Sequence, residues 1–511
     1  MKTKLSLKKT AVIVIGISVI GKLFGFVREL LLANYFGTSG IVDVYLMSMT
    51  IPSILFGFLP AIGIGFTPIY FEISNDNKKN RFTSNALIAS AVFAILCIIL
   101  TIVLRNQIVS ICAPGFSVAN KELTSRFLNI TVWCVLFNTP VQILTAYLNC
   151  NQDYVNSNIS NLFVSVTQAV FVIIAASVDA IFLPIGIVVP WIFQLIWLFA
   201  SSKKKGLLLC RYSRHDEYIR RLLIISVPLF FSNILVDING FVDKMLSSSL
   251  DEGKLSALNY AFTLRAVFVT AASAVITTIF YPRIAERVKE NENKAVCYYI
   301  NRGMDSISFI ILPIMLLCII FANEIITIVL KRGSFDVESA MITTLPFIMY
   351  MLSLIVLVWR ELLIKIMYSY NQTKRNLLFS LFEISINICL SLVLVNTLEH
   401  AGLALATTIA AYISFPIYIY NIKKTIPELG IKNSFYKILK EIIAAGIMVL
   451  ISKLIFTNVL GSLQGGLFEM ITVLLLSCIV GLSAYLLITY LLCVEECRMI
   501  VGRIYSILKK R

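Results

Sequence analysis

Fourteen stretches of this chain are apolar over roughly the 20 residues that a helix needs to cross a hydrocarbon core about 30 Å thick. They lie near 10–35, 43–72, 84–104, 127–148, 158–178, 181–201, 222–248, 255–281, 303–322, 340–368, 376–397, 400–422, 441–460 and 467–493, with the splits near Asp179 and Glu399 the least sharply marked. A backbone surrounded by lipid must satisfy its own N–H and C=O groups, and runs of this length do so as helices. The expected fold is therefore an all-α, polytopic membrane protein of fourteen transmembrane helices. Composition agrees, since 58 % of the 511 residues are hydrophobic and 14 % charged, against about 25 % charged in an average soluble protein. The first run carries no small-residue cleavage site and reads as a span, not a removed signal peptide.

An even number of spans puts both termini on one side. That side holds about 31 of the 44 Lys and Arg residues, including Lys2–Lys9, Lys203–Lys205 with Arg211–Arg221, and Lys509–Arg511. The opposite loops hold about six: Arg105, Lys121, Arg126, Lys254, Lys331 and Arg332. The positive-inside rule makes the rich side, and both termini, cytoplasmic. The net charge of +16 is then a signal of topology, and no nucleic-acid partner is expected.

The halves of the chain resemble each other at an offset near 215. Gly25-Phe26-Val27-Arg28-Glu29 is echoed by Gly240-Phe241-Val242-Asp243-Lys244, and Phe66-x-Pro68-x-x-x-Glu72 by Phe280-x-Pro282-x-x-x-Glu286. Asn151-Gln152 is echoed by Asn371-Gln372, with the offset drifted to 220. Six spans per copy is even, so both copies would sit the same way up, as a parallel pseudo-twofold repeat with a substrate site between two lobes. This predicts an N-lobe over 1–201 (spans 1–6), a basic cytoplasmic linker over 202–221, a C-lobe over 222–422 (spans 7–12), and spans 13 and 14 with a cytoplasmic tail over 423–511.

Several classes of function are disfavoured. The chain has only two histidines, His215 and His400, and no CxxC pair, which argues against zinc, haem and iron–sulfur chemistry. Its eleven cysteines stand mostly singly in apolar runs, and no structural disulfide is expected. External loops are too short for the catalytic domain of a glycan polymerase or ligase, so the chain is not expected to be an enzyme.

An ionisable group at the bilayer centre costs about 2.5–3.5 kcal/mol on insertion scales and is a functional candidate by default. Such groups concentrate in the repeats: Lys22, Arg28 and Glu29 in span 1, Asp43 opening span 2, and Asp237, Asp243 and Lys244 in span 7. Arg265 lies in span 8, Arg360, Glu361 and Lys365 in span 10, and Glu383 in span 11. Lys365 is close enough to the interface to snorkel, and Lys22 and Glu29, seven residues apart, share a helix face that would let them neutralise each other. Net positive charge in a wet cavity favours an anion. Arginine suits diphosphate because its planar fork bonds bidentately and stays charged. The residues chosen as substrate-binding are Lys22, Arg28, Asp43, Arg265 and Arg360.

At this point the chain resembles a known family. Gly25-Phe26-x-Arg28-Glu29, Tyr35-Phe36-Gly37, Asp43-x-Tyr45 and Ile51-Pro52 are similar to the opening of the MurJ/MviN-type lipid II flippases, within the multidrug/oligosaccharidyl-lipid/polysaccharide exporter superfamily. Ala113-Pro114-Gly115-Phe116, Arg332-Gly333-Ser334-Phe335 and His400-Ala401-Gly402-Leu403-Ala404-Leu405-Ala406-Thr407 match as well. The resemblance implies translocation of a polyprenyl-diphosphate-linked glycan precursor, lipid II or a related surface-polysaccharide unit, from the cytoplasmic to the outer leaflet of a bacterial inner membrane by alternating access. It implies a lipid-linked glycan diphosphate as substrate, membrane lipids as surroundings, and a functional monomer without cofactor. Lys22 and Arg28 fall where the family has cavity cations, and Asp43 where it has an acid at the external gate. Some members use sodium as coupling ion, and the matching positions here are Asp237 or Asp243 with Glu383, Asn387 and Thr407.

The chain also departs from the family. Phe56-Gly57 stands where members often have an arginine pair, and in Tyr260-Ala261-Phe262-Thr263-Leu264 the family's arginine is displaced by two residues to Arg265. The alternatives are an ion-coupled exporter of organic cations or drugs, which would want acids to dominate the cavity, then a membrane glycan polymerase or ligase, then a transporter-like scaffold.

Overall fold

The structure is a computed structural model that describes residues 7–57, 59–210, 217–430, 432–460, 466–499 and 502. The basic residues Lys2, Lys4, Arg211, Arg214 and Lys509–Arg511 lie outside the described residues. Among the described residues every regular element is a helix. They divide into two compact units: the residues up to Ser256 with Arg332–Ser339, and Ala257–Lys331 with the residues from Ala340 onward.

The first unit contains α1 (Leu7–Phe36), α2 (Gly40–Phe56), α3 (Leu59–Glu72), α4 (Asp76–Val103), α5 (Arg105–Cys112), α6 (Val118–Thr131), α7 (Cys134–Cys150), α8 (Tyr154–Ser177), α9 (Phe182–Lys204) and α10 (Glu217–Ser247). The split near Asp179 is real: its carboxylate accepts from the N–H of Ile181 at 2.7 Å and turns the chain between α8 and α9. The unit's core stacks Phe66 on Phe82 with centroids 5.0 Å apart, and packs them with Ile143, Leu144, Leu148 and Leu198, all buried. In lipid such close packing, rather than exclusion of water, holds helices together. Although the repeat pairs α10 with α1, α10 packs in this first unit, where Leu222 joins the core and Arg221 pairs with Glu72 of α3 at 2.9 Å.

Two motifs nearly 300 residues apart meet at one end of this unit. The N–H of Ser334 donates to the Asn34 carbonyl at 2.8 Å, and the Ser334 hydroxyl to the Tyr35 carbonyl at 3.0 Å. Gly37 (φ 59°) and Gly333 (φ 55°) are left-handed, and a side chain on either would strike the backbone of the facing segment, at Ser334 and Asn34 respectively. Both glycines are needed for conformation and for closeness.

The second unit contains α11 (Lys254–Val275, from Ala257), a π-helical turn (Ile276–Phe280), α12 (Tyr281–Lys289), α13 (Asn293–Ile320), α14 (Ala322–Leu330), α15 (Val337–Leu352, from Ala340), α16 (Leu354–Ser369), α17 (Thr373–Thr425), α18 (Lys432–Leu460) and α19 (Leu467–Leu491). The 53-residue α17 is two helices joined at Glu399, whose φ of 53° and ψ of −134° break the helix. Its limbs run antiparallel, because contacts close in step from that point: Leu394 with Gly402, Asn387 with Thr407, Arg375 with Asn421 and Gln372 with Thr425. Gly402 allows the limbs to approach at the reversal, where a β-carbon would overlap the Leu394 carbonyl.

Nine helical stretches among the described residues are long and apolar enough to cross a membrane, or eleven if two bent pairs each count as one. The bent pairs are Gly40–Phe56 with Ala61–Glu72, and Val337–Leu352 with Leu354–Ser369. Adding α1, α10 and the second limb of α17 yields segments that coincide with the fourteen apolar runs. The chain is a multi-pass membrane protein.

Candidate functional site

In the first unit a polar cluster forms where α1, α2, α8 and α10 converge. Arg28 donates from Nη1 to Oε1 of Gln168 on α8 at 2.8 Å and from Nη2 to the adjacent carboxylate of Glu29. Glu29 is buried, whereas the Arg28 side chain keeps 19 % exposure. Lys244 enters from α10 and donates to the Thr50 hydroxyl of α2 at 2.8 Å, within the electrostatic reach of both Glu29 and Arg28. Glu29 and Lys244 are equivalent positions of the repeat, so the two copies bring opposite charges to a common place.

Lys22, about 9 Å before Arg28 along the axis of α1, is exposed and has no hydrogen-bond or ion-pair partner among the described residues. The sequence suggested that Lys22 would neutralise Glu29. Seven residues of helix separate them by about 10 Å along the axis, and the neighbouring guanidinium takes the carboxylate instead. On α10, Asp237 is exposed near Gly57, and Asp243 is buried.

Asp43 does different work. Its Oδ2 accepts from the N–H of Gly253 at 2.7 Å and its Oδ1 from the N–H of Ser256 at 2.8 Å. This buried carboxylate caps the start of α11 and ties the α10–α11 connection to α2. The same connection is held by Asn120, which donates to Glu252 at 2.7 Å.

A cavity of about 670 Å³ lies beside the core of this unit, lined by Thr67, Gln142, Thr145 and Asn149 with Gly63 and Gly65 among its walls. Among the described residues, hydroxyls and amides supply its polarity and no charged side chain lines it.

In the second unit Arg265 and Arg360 hold structure together. Arg265 is buried, lies over the rings of Tyr350 (4.4 Å) and Phe262 (4.9 Å), and donates to Ser353 Oγ at 3.1 Å. Ser353 stands at the 43° bend between α15 and α16, so this guanidinium supports a broken helix. Arg360 pairs with Glu383, whose other oxygen accepts from Ser414 at 3.0 Å.

These contacts bear on the sodium-site residues. Glu383 is already neutralised by a guanidinium, Asn387 Nδ2 donates to Thr407 Oγ1 at 3.0 Å, and Asn387 Oδ1 accepts from Ser391. The oxygens of Glu383, Asn387 and Thr407 are thus engaged by donors within the second unit, while Asp237 and Asp243 belong to the first. Among the described residues no group of three or more His, Cys, Asp or Glu side chains is arranged to hold a metal.

Sequence reasoning missed Gln168 and Thr50 and passed over Lys244. The available signals were an amide isolated in the apolar run of α8 and a lysine placed opposite Glu29 by the repeat.

Bundled membrane-crossing helices with cations drawn into their interior define a polytopic α-helical transporter. Comparison with known proteins places it further. The family model described as "Lipid II flippase MurJ" matches residues 32–472, and the chain belongs to that family. A probable lipid II flippase MurJ of Rickettsia prowazekii (strain Madrid E) is 26 % identical over 447 residues, which cover 85 % of this chain and 88 % of the relative. A solved structure titled "Lipid II flippase MurJ, inward closed conformation" superposes with a TM-score of 0.80 at 21 % identity, covering 94 % of this chain and 98 % of that one. An inward-facing multidrug resistance MATE family transporter of the MOP superfamily gives a TM-score of 0.67 at 12 % identity, covering 82 % and 98 %. The last two are likenesses of fold.

Proposed function

We propose that this chain is a lipid II flippase that moves its substrate from the cytoplasmic to the outer leaflet of a bacterial inner membrane by alternating access. It is a transporter rather than an enzyme, works as a monomer, and has both termini in the cytoplasm. The repeat lobes, 1–201 and 222–422, would rock about the substrate, with 423–511 appended. The observation that carries the reading is the cationic cluster of the first unit. Lys22 is unengaged among the described residues, and Arg28, partly exposed, is ion-paired with Glu29 through Nη2 but bonded through Nη1 to a neutral amide that a phosphate oxygen can replace. Lys244 completes the group. A diphosphate would exchange the Gln168 and Thr50 bonds for charge-assisted ones, which are about twice as strong. The neutral cavity bounded by Gln142, Thr145 and Asn149 suits the hydroxyls and amides of a glycan–peptide head, and Asp43 latches the external connection. Arg265 and Arg360 then act on the shape of the second unit, and Glu383 belongs to that frame rather than to a sodium site.

The test uses full-length protein reconstituted in vesicles with lipid II and a leaflet-specific readout. Arg28→Ala should abolish translocation while the protein still purifies as a folded monomer, and Arg28→Lys should restore part of it. Unimpaired translocation by Arg28→Ala would remove the site. Depleting the protein in a bacterium should leave a diphosphate-linked lipid in the inner leaflet, which mass spectrometry identifies.

A further inference from the structure

A second ionisable cluster lies in the second unit, away from the residues discussed above. Its centre is Glu441 of α18, which is fully buried and whose two carboxylate oxygens have no hydrogen-bond partner among the described residues. Glu496, after α19, and Asp305 of α13 are the carboxylates that act on it, opposed by Lys437 one turn earlier on α18. Both acids are buried and half engaged. Asp305 accepts from Lys437 Nζ at 2.8 Å through Oδ2, and Glu496 from Arg302 Nη1 at 2.8 Å through Oε1. Their remaining oxygens, Asp305 Oδ1 and Glu496 Oε2, also lack a partner among the described residues.

The surrounding donors are committed. Lys437 also serves Glu495 at 2.9 Å, Lys440 donates to the Leu492 carbonyl at 3.0 Å, and the Tyr485 hydroxyl donates to the Phe309 carbonyl at 3.0 Å. The cluster thus sets four carboxylates, Asp305, Glu441, Glu495 and Glu496, against Arg302 and Lys437, and leaves four buried acceptor oxygens without a hydrogen. Ionised carboxylates only accept, and a buried acceptor left unmade is costly. One added proton changes this, because a neutral carboxyl donates as well as accepts. Metal geometry is absent among the described residues.

We propose that Glu441, with Asp305 and Glu496, forms a proton-binding site that joins α18 and the segment after α19 to α13. Glu441 holds the proton and donates it in a hydrogen bond to one of the two open oxygens. Loss of the proton places a fourth negative carboxylate in the cluster, against only Arg302 and Lys437, and loosens the C-terminal pair of helices from α13. The folded chain then retains a proton that the unfolded chain releases, so stability falls as pH rises through the site's titration.

The experiment uses full-length protein in lipid nanodiscs, with infrared difference spectra and thermal unfolding followed between about pH 6 and about pH 9, a window that brackets neutrality and lies above the ordinary carboxylate range. A protonated-carboxyl C=O band should be present at neutral pH, should vanish on alkalinisation, and should be missing from Glu441→Gln. The unfolding midpoint of the wild type should drop across that transition while that of Glu441→Gln stays level. Glu496→Gln removes one of the repelling charges, so Glu441 should hold its proton less tightly and the band should vanish at a lower pH than in the wild type. If Glu441→Gln does not fold, this displacement in Glu496→Gln decides the matter. An unchanged band in Glu441→Gln, or an unmoved titration in Glu496→Gln, overturns the proposal. So does a rise of the wild-type midpoint on adding sodium or potassium chloride at fixed pH that choline chloride does not reproduce, because the site would then hold a metal cation.

Discussion

Removing the Asp43 carboxylate should release the α10–α11 connection. One side chain caps two backbone donors, the N–H groups of Gly253 and Ser256, at 2.7 and 2.8 Å. All three residues are buried, so water does not replace the lost acceptor. Hydrogen bonds to a charged group contribute about 1.5–3 kcal/mol each, and a helix cap about 1 kcal/mol. The two overlap here, and about 3 kcal/mol is a fair total for Asp43→Ala. That is roughly a 150-fold rise in the open fraction of the connection. Asp43→Asn keeps one acceptor oxygen and should lose about half, roughly a tenfold rise. Amide hydrogen exchange followed by mass spectrometry on peptides spanning 250–258 reads the opening directly. Exchange should accelerate in the order wild type, Asp43→Asn, Asp43→Ala, while peptides of α8 and α9 stay as in the wild type. Wild-type exchange in Asp43→Ala would refute the argument, since the two bonds would then contribute nothing to holding the connection.

Two further outcomes follow from the same geometry. Arg360→Ala strands a mostly buried Glu383 with Ser414 as its remaining donor among the described residues, and should destabilise by about 3 kcal/mol; Arg360→Ala with Glu383→Ala should recover much of this in thermal unfolding, and simple additivity would disprove the pairing. The N–H of Ser339 holds the Asp336 carboxyl below its usual range, so this cap at the start of α15 contributes above the unfolded value and is lost as pH falls through the lowered folded value. Exchange at Ser339 should therefore quicken below about pH 4, a step that Asp336→Asn should lack.

The apolar runs and the two uncertain splits were legible because lipid permits few solutions to backbone hydrogen bonding. At Glu399 and Asp179 the breaks occur where polar residues interrupt apolar ones. The roles of the arginines were less legible. Composition marks Arg28, Arg265 and Arg360 alike, yet their partners Gln168, Ser353 and Glu383 lie on other helices, and only tertiary packing selects them. Asp43 is marked by its place opening span 2 and by the resemblance, but its duty depends on two backbone N–H groups some 210 residues away, which carry no side-chain signature at all. Lys244 needed the repeat to be read as a contact map as well as an ancestry.

The two limbs of α17 cannot be stable guests of the bilayer one at a time. Gln372, Arg375 and Asn387 on the first limb are matched by Thr425, Asn421 and Thr407 on the second. Until residues beyond Asn421 have been synthesised, this polar ladder has nothing to close on. Biogenesis should thus deliver the hairpin as a single package, and a nascent chain halted at its bend would expose the kind of intramembrane polarity by which quality-control proteases recognise an orphaned helix.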